Sequence, residues 1–99
     1  MTAEITRVRV LVSLQRALLG EVFPSLRALT VEWGPGRVKF WAYVDGEPFP
    51  EDTESLSCVS AEVAGDFDAD VAVEYEIVRR DAPAPIGDTR VFAYRRREQ

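Results

Sequence analysis

Apolar and polar residues along this chain follow two different periods, and the switches between them mark six elements. Over residues 5–22, Val8, Leu11, Val12, Leu18, Leu19 and Val22 fall on one helical stripe interrupted only by Gln15, which predicts a helix that buries that stripe. The β-branched Val8 and Val10 weaken its first turn, and Pro24 prevents much continuation past Gly20. Residues 26–33 read as a strand with Leu29, Val31 and Trp33 on one face, and Gly34-Pro35-Gly36 then breaks the run. Residues 37–44 resume it, with Val38, Phe40, Ala42 and Val44 on one side and Lys39, Trp41 and Tyr43 on the other. After a turn at Asp45-Gly46 and a short stretch containing Pro48 and Pro50, residues 51–67 carry Leu56, Val59, Val63 and Phe67 at helical spacing. Glu51, Asp52 and Glu54 occupy the first turn of that predicted helix, where its dipole favours anions. Residues 71–78 alternate cleanly, Val71, Val73, Tyr75 and Ile77 against Glu74 and Glu76. Asp81 to Asp88, with Pro83 and Pro85, reads as a loop, and residues 90–96 supply a last strand through Val91, Phe92 and Tyr94.

The order helix, strand, strand, helix, strand, strand predicts an α+β fold. Hairpin-linked strand pairs give a single two-layer domain, an antiparallel four-stranded sheet with both helices on one face. At 99 residues the chain fits one domain over 1–99, with 1–4 and 98–99 expected to fray. No apolar run approaches the roughly 20 residues that span a bilayer, and no charged segment leads into an apolar one as in a secretory signal. A cytoplasmic protein without a membrane partner is expected.

Composition removes several chemistries. There is no histidine, which excludes Ser-His-Asp and Cys-His nucleophilic catalysis and histidine-ligated zinc. The single Cys58 can form no internal disulfide and has no base to activate it. Asp66-Phe67-Asp68-Ala69-Asp70 lacks the remainder of a calcium loop, including its terminal bidentate glutamate. No catalytic residue, cofactor or metal ligand is expected, and the chain reads as a binding protein rather than an enzyme.

Charge changes the picture most. Seventeen acidic and 12 basic side chains give a net charge of −5, which argues against nucleic acid as a partner. Between Asp45 and Val78 there are eleven acidic residues and no basic one. The rest of the chain holds six acidic residues and all 12 basic ones. Uncompensated like charges repel and destabilise a compact state, so such a run suits a strongly basic partner whose approach it would steer. The candidate partner-binding residues are Asp45, Glu47, Glu51, Asp52, Glu54, Glu62 and Asp66, with Trp41 and Tyr43 as aromatic anchors if they face outward. Arg95-Arg96-Arg97 reads as an edge-strand guard or an internal ion-pair partner.

The run from Gln15 to Trp33 (QRALLGEVFPSLRALTVEW), the segment Asp45 to Glu54, Ala61-Glu62-Val63 and the closing Val91 to Glu98 resemble one family. It is that of the small bacterial immunity proteins of contact-dependent growth inhibition and related polymorphic toxin systems, and the likeness spans the chain from about Leu14 onward. The resemblance implies a cytoplasmic protein that binds one cognate toxin domain, commonly a nuclease, and blocks its active site or substrate entry. It carries over no individual contact residue. The alternative reading is a structural or regulatory module that homodimerises through an exposed aromatic strand face.

Overall fold

The computed structural model describes residues 4–98. Its elements run α1 (Arg7–Leu18), β1 (Leu26–Gly34), β2 (Arg37–Val44), α2 (Pro50–Gly65), β3 (Ala72–Arg79) and β4 (Val91–Arg95). Each begins where local chemistry permits. Thr6 caps α1, its hydroxyl accepting from the Arg9 N–H at 3.2 Å, and this secures a first turn whose β-branched residues disfavour helix. α2 starts with Pro50 in its first turn, and the Asp52 carboxylate turns back to accept from the Phe49 N–H at 3.2 Å. The β1–β2 hairpin closes Gly34 on Arg37 across Pro35-Gly36, where Gly36 takes a left-handed φ of 72° that a side chain would strain.

The α+β class, the element order and the placement of both helices on one sheet face agree with the sequence reading, but the sheet does not. Strand order is β3-β2-β1-β4, and the sheet is mixed rather than antiparallel: β1 pairs antiparallel with β2 and β4, whereas β3 runs parallel to β2. The expected second hairpin does not exist, because β3 and β4 are the two opposite edges. A parallel return needs a crossover of a dozen or more residues, and α2 with its flanks supplies one between β2 and β3. The chain must then pass three strand spacings, about 14 Å, to reach the far edge. Residues 80–90 can span up to about 36 Å, so the loop crosses the sheet with length to spare.

One core lies between the sheet and the helices. Val10, Leu14, Ala17 and Leu18 of α1 and Leu56, Val59 and Val63 of α2 pack on Leu29, Val31, Val38, Phe40, Ala42 and Val44. The Tyr75 ring stacks on Phe40, its register partner, with centroids 5.3 Å apart. The stripe predicted for α1 is therefore divided: Leu11 and Leu18 face the core, whereas Val8, Val12, Leu19 and Val22 do not. Val8 and Leu19 are 70% and 78% exposed, and Val12 also faces solvent. At 100° per residue the buried positions 10, 14 and 17 sit about 180° around the helix from 8, 12 and 19. Two apolar stripes share this helix, and the one containing Ala17 and Ser13 allows the closer approach to the sheet and α2.

A second, smaller cluster covers the other sheet face, formed by Ala28, Trp41 and Tyr43 beneath Ile86 of the crossing loop, with Val78 and Phe92 packed against it. The expected frayed ends fall partly on residues 1–3 and 99, outside the described residues. Within them, the Glu4 carbonyl accepts from the Arg9 guanidinium and the Glu98 carboxylate from Arg27.

The divided stripe predicts unequal truncations. Leu14→Ala lowers the stability of the fold by about 2–5 kcal/mol, whereas Leu19→Ala changes it by less than about 0.5 kcal/mol, read from urea denaturation midpoints.

Candidate functional site

The open sheet face is closed by arginines. A register shift between Leu26 and Ala28 inserts Arg27 as an extra residue in β1 and turns it into the interior, where it is 3% exposed. Its guanidinium donates to both Glu98 carboxylate oxygens at 2.7 and 2.9 Å and to the Arg80 and Ala84 carbonyls at 2.7 and 2.9 Å. This fork fastens the crossing loop and the C-terminal segment to β1. The hydrogen bond from Arg27, strengthened by Arg96 and the two positive charges, holds the Glu98 carboxyl down at about 2. Arg80 donates to the Pro85 and Ile86 carbonyls, Arg96 to the Pro24 carbonyl and to Asp45, and Arg79 to Asp81 and Glu47.

Further along the same loop the Asp88 carboxylate, 1% exposed, accepts from the Thr30 and Tyr43 hydroxyls at 2.7 Å each and from the Arg90 N–H at 2.8 Å. Burial alone would push its pKa upward. The three hydrogen bonds and the Arg90 charge outweigh that and hold it at about 2. Tyr43 is pushed the other way, up to about 12, by burial and then by the Asp88 carboxylate it donates to. Arg90 lies 3.7 Å above the Trp41 ring centre, and Lys39 approaches the same ring at 5.0 Å.

Trp41 and Tyr43 are thus no exposed anchors. They are 7% and 6% exposed, because the loop supplies a third layer that the alternation of β2 does not announce. The carboxylates divide into two groups. Asp45 accepts from Arg96 and from the Ala82 N–H, and Glu47 pairs with Arg79. Asp66 accepts from the Ser13 hydroxyl at 2.7 Å and lies 3.7 Å from Arg16. Asp52 is buried in the α2 cap. Glu51, Glu54 and Glu62 are exposed, and among the described residues none joins an ion pair. With Cys58 they follow one another at spacings of three or four along a single flank of α2.

Three residues beyond the seven candidate carboxylates join this set. Asp70, just before β3, and Glu74 and Glu76 within it are exposed and likewise without an ion pair among the described residues. In register Glu74 lies beside Lys39 and Glu76 beside Trp41, on the face away from the helices. The alternation of residues 71–78 already marked both as outward. α2 packs against β3, so the unpaired carboxylates occupy two neighbouring elements at one edge of the sheet. Arg27, Arg80, Arg90 and Arg96 meanwhile fasten the loop, β1 and the C-terminal segment. Among the described residues no three histidine, cysteine, aspartate or glutamate side chains converge to hold a metal ion, and no helix is long and apolar enough to cross a membrane.

A family model described as MafI2 immunity protein matches residues 7–98 of the chain. A comparison with curated proteins found no match.

The Asp88 fastening predicts an acid sensitivity. Its folded pKa is depressed, so its contribution is fully present above the unfolded value near 4 and is lost as pH falls from there through about 2. At neutral pH this contribution is about 2 kcal/mol. Asp88→Asn lowers the neutral-pH melting temperature and flattens the pH dependence between 4 and 2, measured by thermal denaturation across that range.

Proposed function

The chain belongs to the MafI2 immunity protein family, and on that premise we propose that it neutralises a cognate toxin domain of nuclease type in the cytoplasm by occluding its substrate groove. The whole of residues 1–99 acts as one immunity domain in this reading and contributes no chemistry of its own. The observation that carries it is the set of exposed carboxylates on α2 and β3 that join no ion pair among the described residues. A nuclease must hold a polyanion, so its groove is basic, and an array of fixed carboxylates can occupy the positions of phosphates. The same field raises the encounter rate, which matters when few toxin molecules must be captured before they act.

Of the residues expected to meet the partner, Glu51, Glu54 and Glu62 remain its centre in this proposal, joined by Asp70, Glu74 and Glu76. Asp45, Glu47 and Asp66 form its rim, since each already holds an internal partner. Asp52 serves α2 rather than the toxin. Trp41 and Tyr43 drop out with their burial, and a homodimer through an exposed aromatic strand face loses the surface it needs.

The triple variant Glu51→Lys, Glu54→Lys, Glu62→Lys tests this. With its melting temperature retained, it binds the cognate toxin domain on the order of 100-fold more weakly and fails to protect cells expressing that toxin. Native affinity also falls as ionic strength rises. Unchanged protection and affinity in the triple variant would remove the carboxylate surface from the mechanism.

A further inference from the structure

We propose that the outer edge of β3 is the docking line for an extended, basic segment of the toxin, which adds to the sheet as a fifth strand. This rests on the toxin-binding function proposed above and says how the contact is made.

The main chain of β3 presents a regular, unfilled edge. The Ala72 N–H donates to the Gly36 carbonyl at one end of β3, and the Arg80 N–H to the Val44 carbonyl just past the other. Between them the parallel register runs from Arg37–Ala72 to Val44–Arg79 without a shift. Along a strand the N–H and C=O of successive residues point to opposite sides, so residues 72, 74, 76 and 78 face β2. The N–H and C=O groups of Val73, Tyr75 and Ile77 therefore point away from the sheet, and β3 has no second strand neighbour. Among the described residues no other backbone group bonds to them. The opposite edge is built differently. β4 has five residues, and its pairing with β1 is irregular between Leu29 and Thr30, a bulge of the kind that discourages strand addition.

The side chains on β3 select the occupant. Glu74 and Glu76 project on the open face, while Val73, Tyr75 and Ile77 lie half-buried on the helix face. An incoming strand with lysine or arginine at alternate positions and apolar residues between them complements both faces. A second copy of β3 does not. Antiparallel pairing centred on Tyr75 sets Glu74 directly against Glu76 of the second copy, twice over, and like charges opposite one another disfavour the pair. The two glutamates thus guard the edge against self-association and leave it open to a cation-bearing strand.

The test is amide hydrogen exchange resolved by NMR, on the free protein and on its complex with an inactivated form of the cognate toxin domain. Complex formation slows exchange at Val73, Tyr75 and Ile77 by about 100-fold or more and leaves the inward amides of Glu74 and Glu76 unchanged. The double variant Glu74→Lys, Glu76→Lys keeps its melting temperature and loses at least about tenfold in affinity. A tight complex in which the three outward amides still exchange at their free rates overturns strand addition while leaving the proposed function standing. Absence of any complex overturns both.

Discussion

The buried Asp88 carboxylate is the fastening on which the remaining structure depends. It sits at the far end of a loop that has to carry the chain from one edge of the sheet to the other, across a face with no helix to cover it. A loop over a sheet normally stays wet, because its polar groups need partners. Here Thr30, Tyr43 and the Arg90 N–H donate to one carboxylate, and Arg27 and Arg80 donate to loop carbonyls from below. With those groups satisfied, Ile86 can seal Trp41, Tyr43 and Ala28 from water. Trp41 and Tyr43 are consequently core residues of a third layer.

That fastening also sets the surface charge. Arg27, Arg80, Arg90 and Arg96 each engage several acceptors of the same chain, Arg37 of the hairpin pairs with Glu32, and Arg79 at the end of β3 pairs with Asp81 and Glu47. Eleven acids between Asp45 and Val78 face this supply of cations, yet only the ones near the loop and the helix ends are reached. Glu51, Glu54 and Glu62 of α2, and Asp70, Glu74 and Glu76 at β3, join no ion pair among the described residues. Separation of sign along the sequence has become separation in space, and the self-repulsion it leaves on α2 and β3 is a standing cost.

Much of the fold was legible. Both helices and all four strands lie where periodicity placed them, β2 without any shift and the other boundaries within four residues, and the Gly34-Pro35-Gly36 turn was evident from composition. What failed has physical causes. α1 carries two apolar stripes on opposite sides, and hydrophobicity alone preferred the one with larger residues. Packing preferred the one whose Ala17 and Ser13 let the helix approach. Strand pairing was misjudged because residues 80–90 were read as a connection between neighbours, although a loop of that length can equally cross a sheet. Arg27 offered no signal at all: a basic residue in a strand reads as exposed, and only the local register shift turns it inward. For the candidate surface, the acidic run was visible and its division was not. Whether a carboxylate is free depends on which arginine reaches it, and that is a property of the assembled sheet.

Two scales of interaction meet at the β3 edge. The α2 carboxylates act at a distance, but at physiological ionic strength their field decays over about 8 Å, so they govern approach more than final geometry. The edge acts only on contact and is indifferent to side-chain identity, since any extended backbone can pair with Val73, Tyr75 and Ile77. Alone, either would be indiscriminate: a field attracts any polycation, and a bare edge invites any strand. Placed together they discriminate, because a segment must be both extended and positively charged to gain from both. Glu74 and Glu76 belong to each scale at once, lending charge to the field and fixing which side chains can lie beside β3. An immunity protein of this size, with its opposite face closed by a loop and its helices committed to the core, has few other places where backbone and charge remain available together.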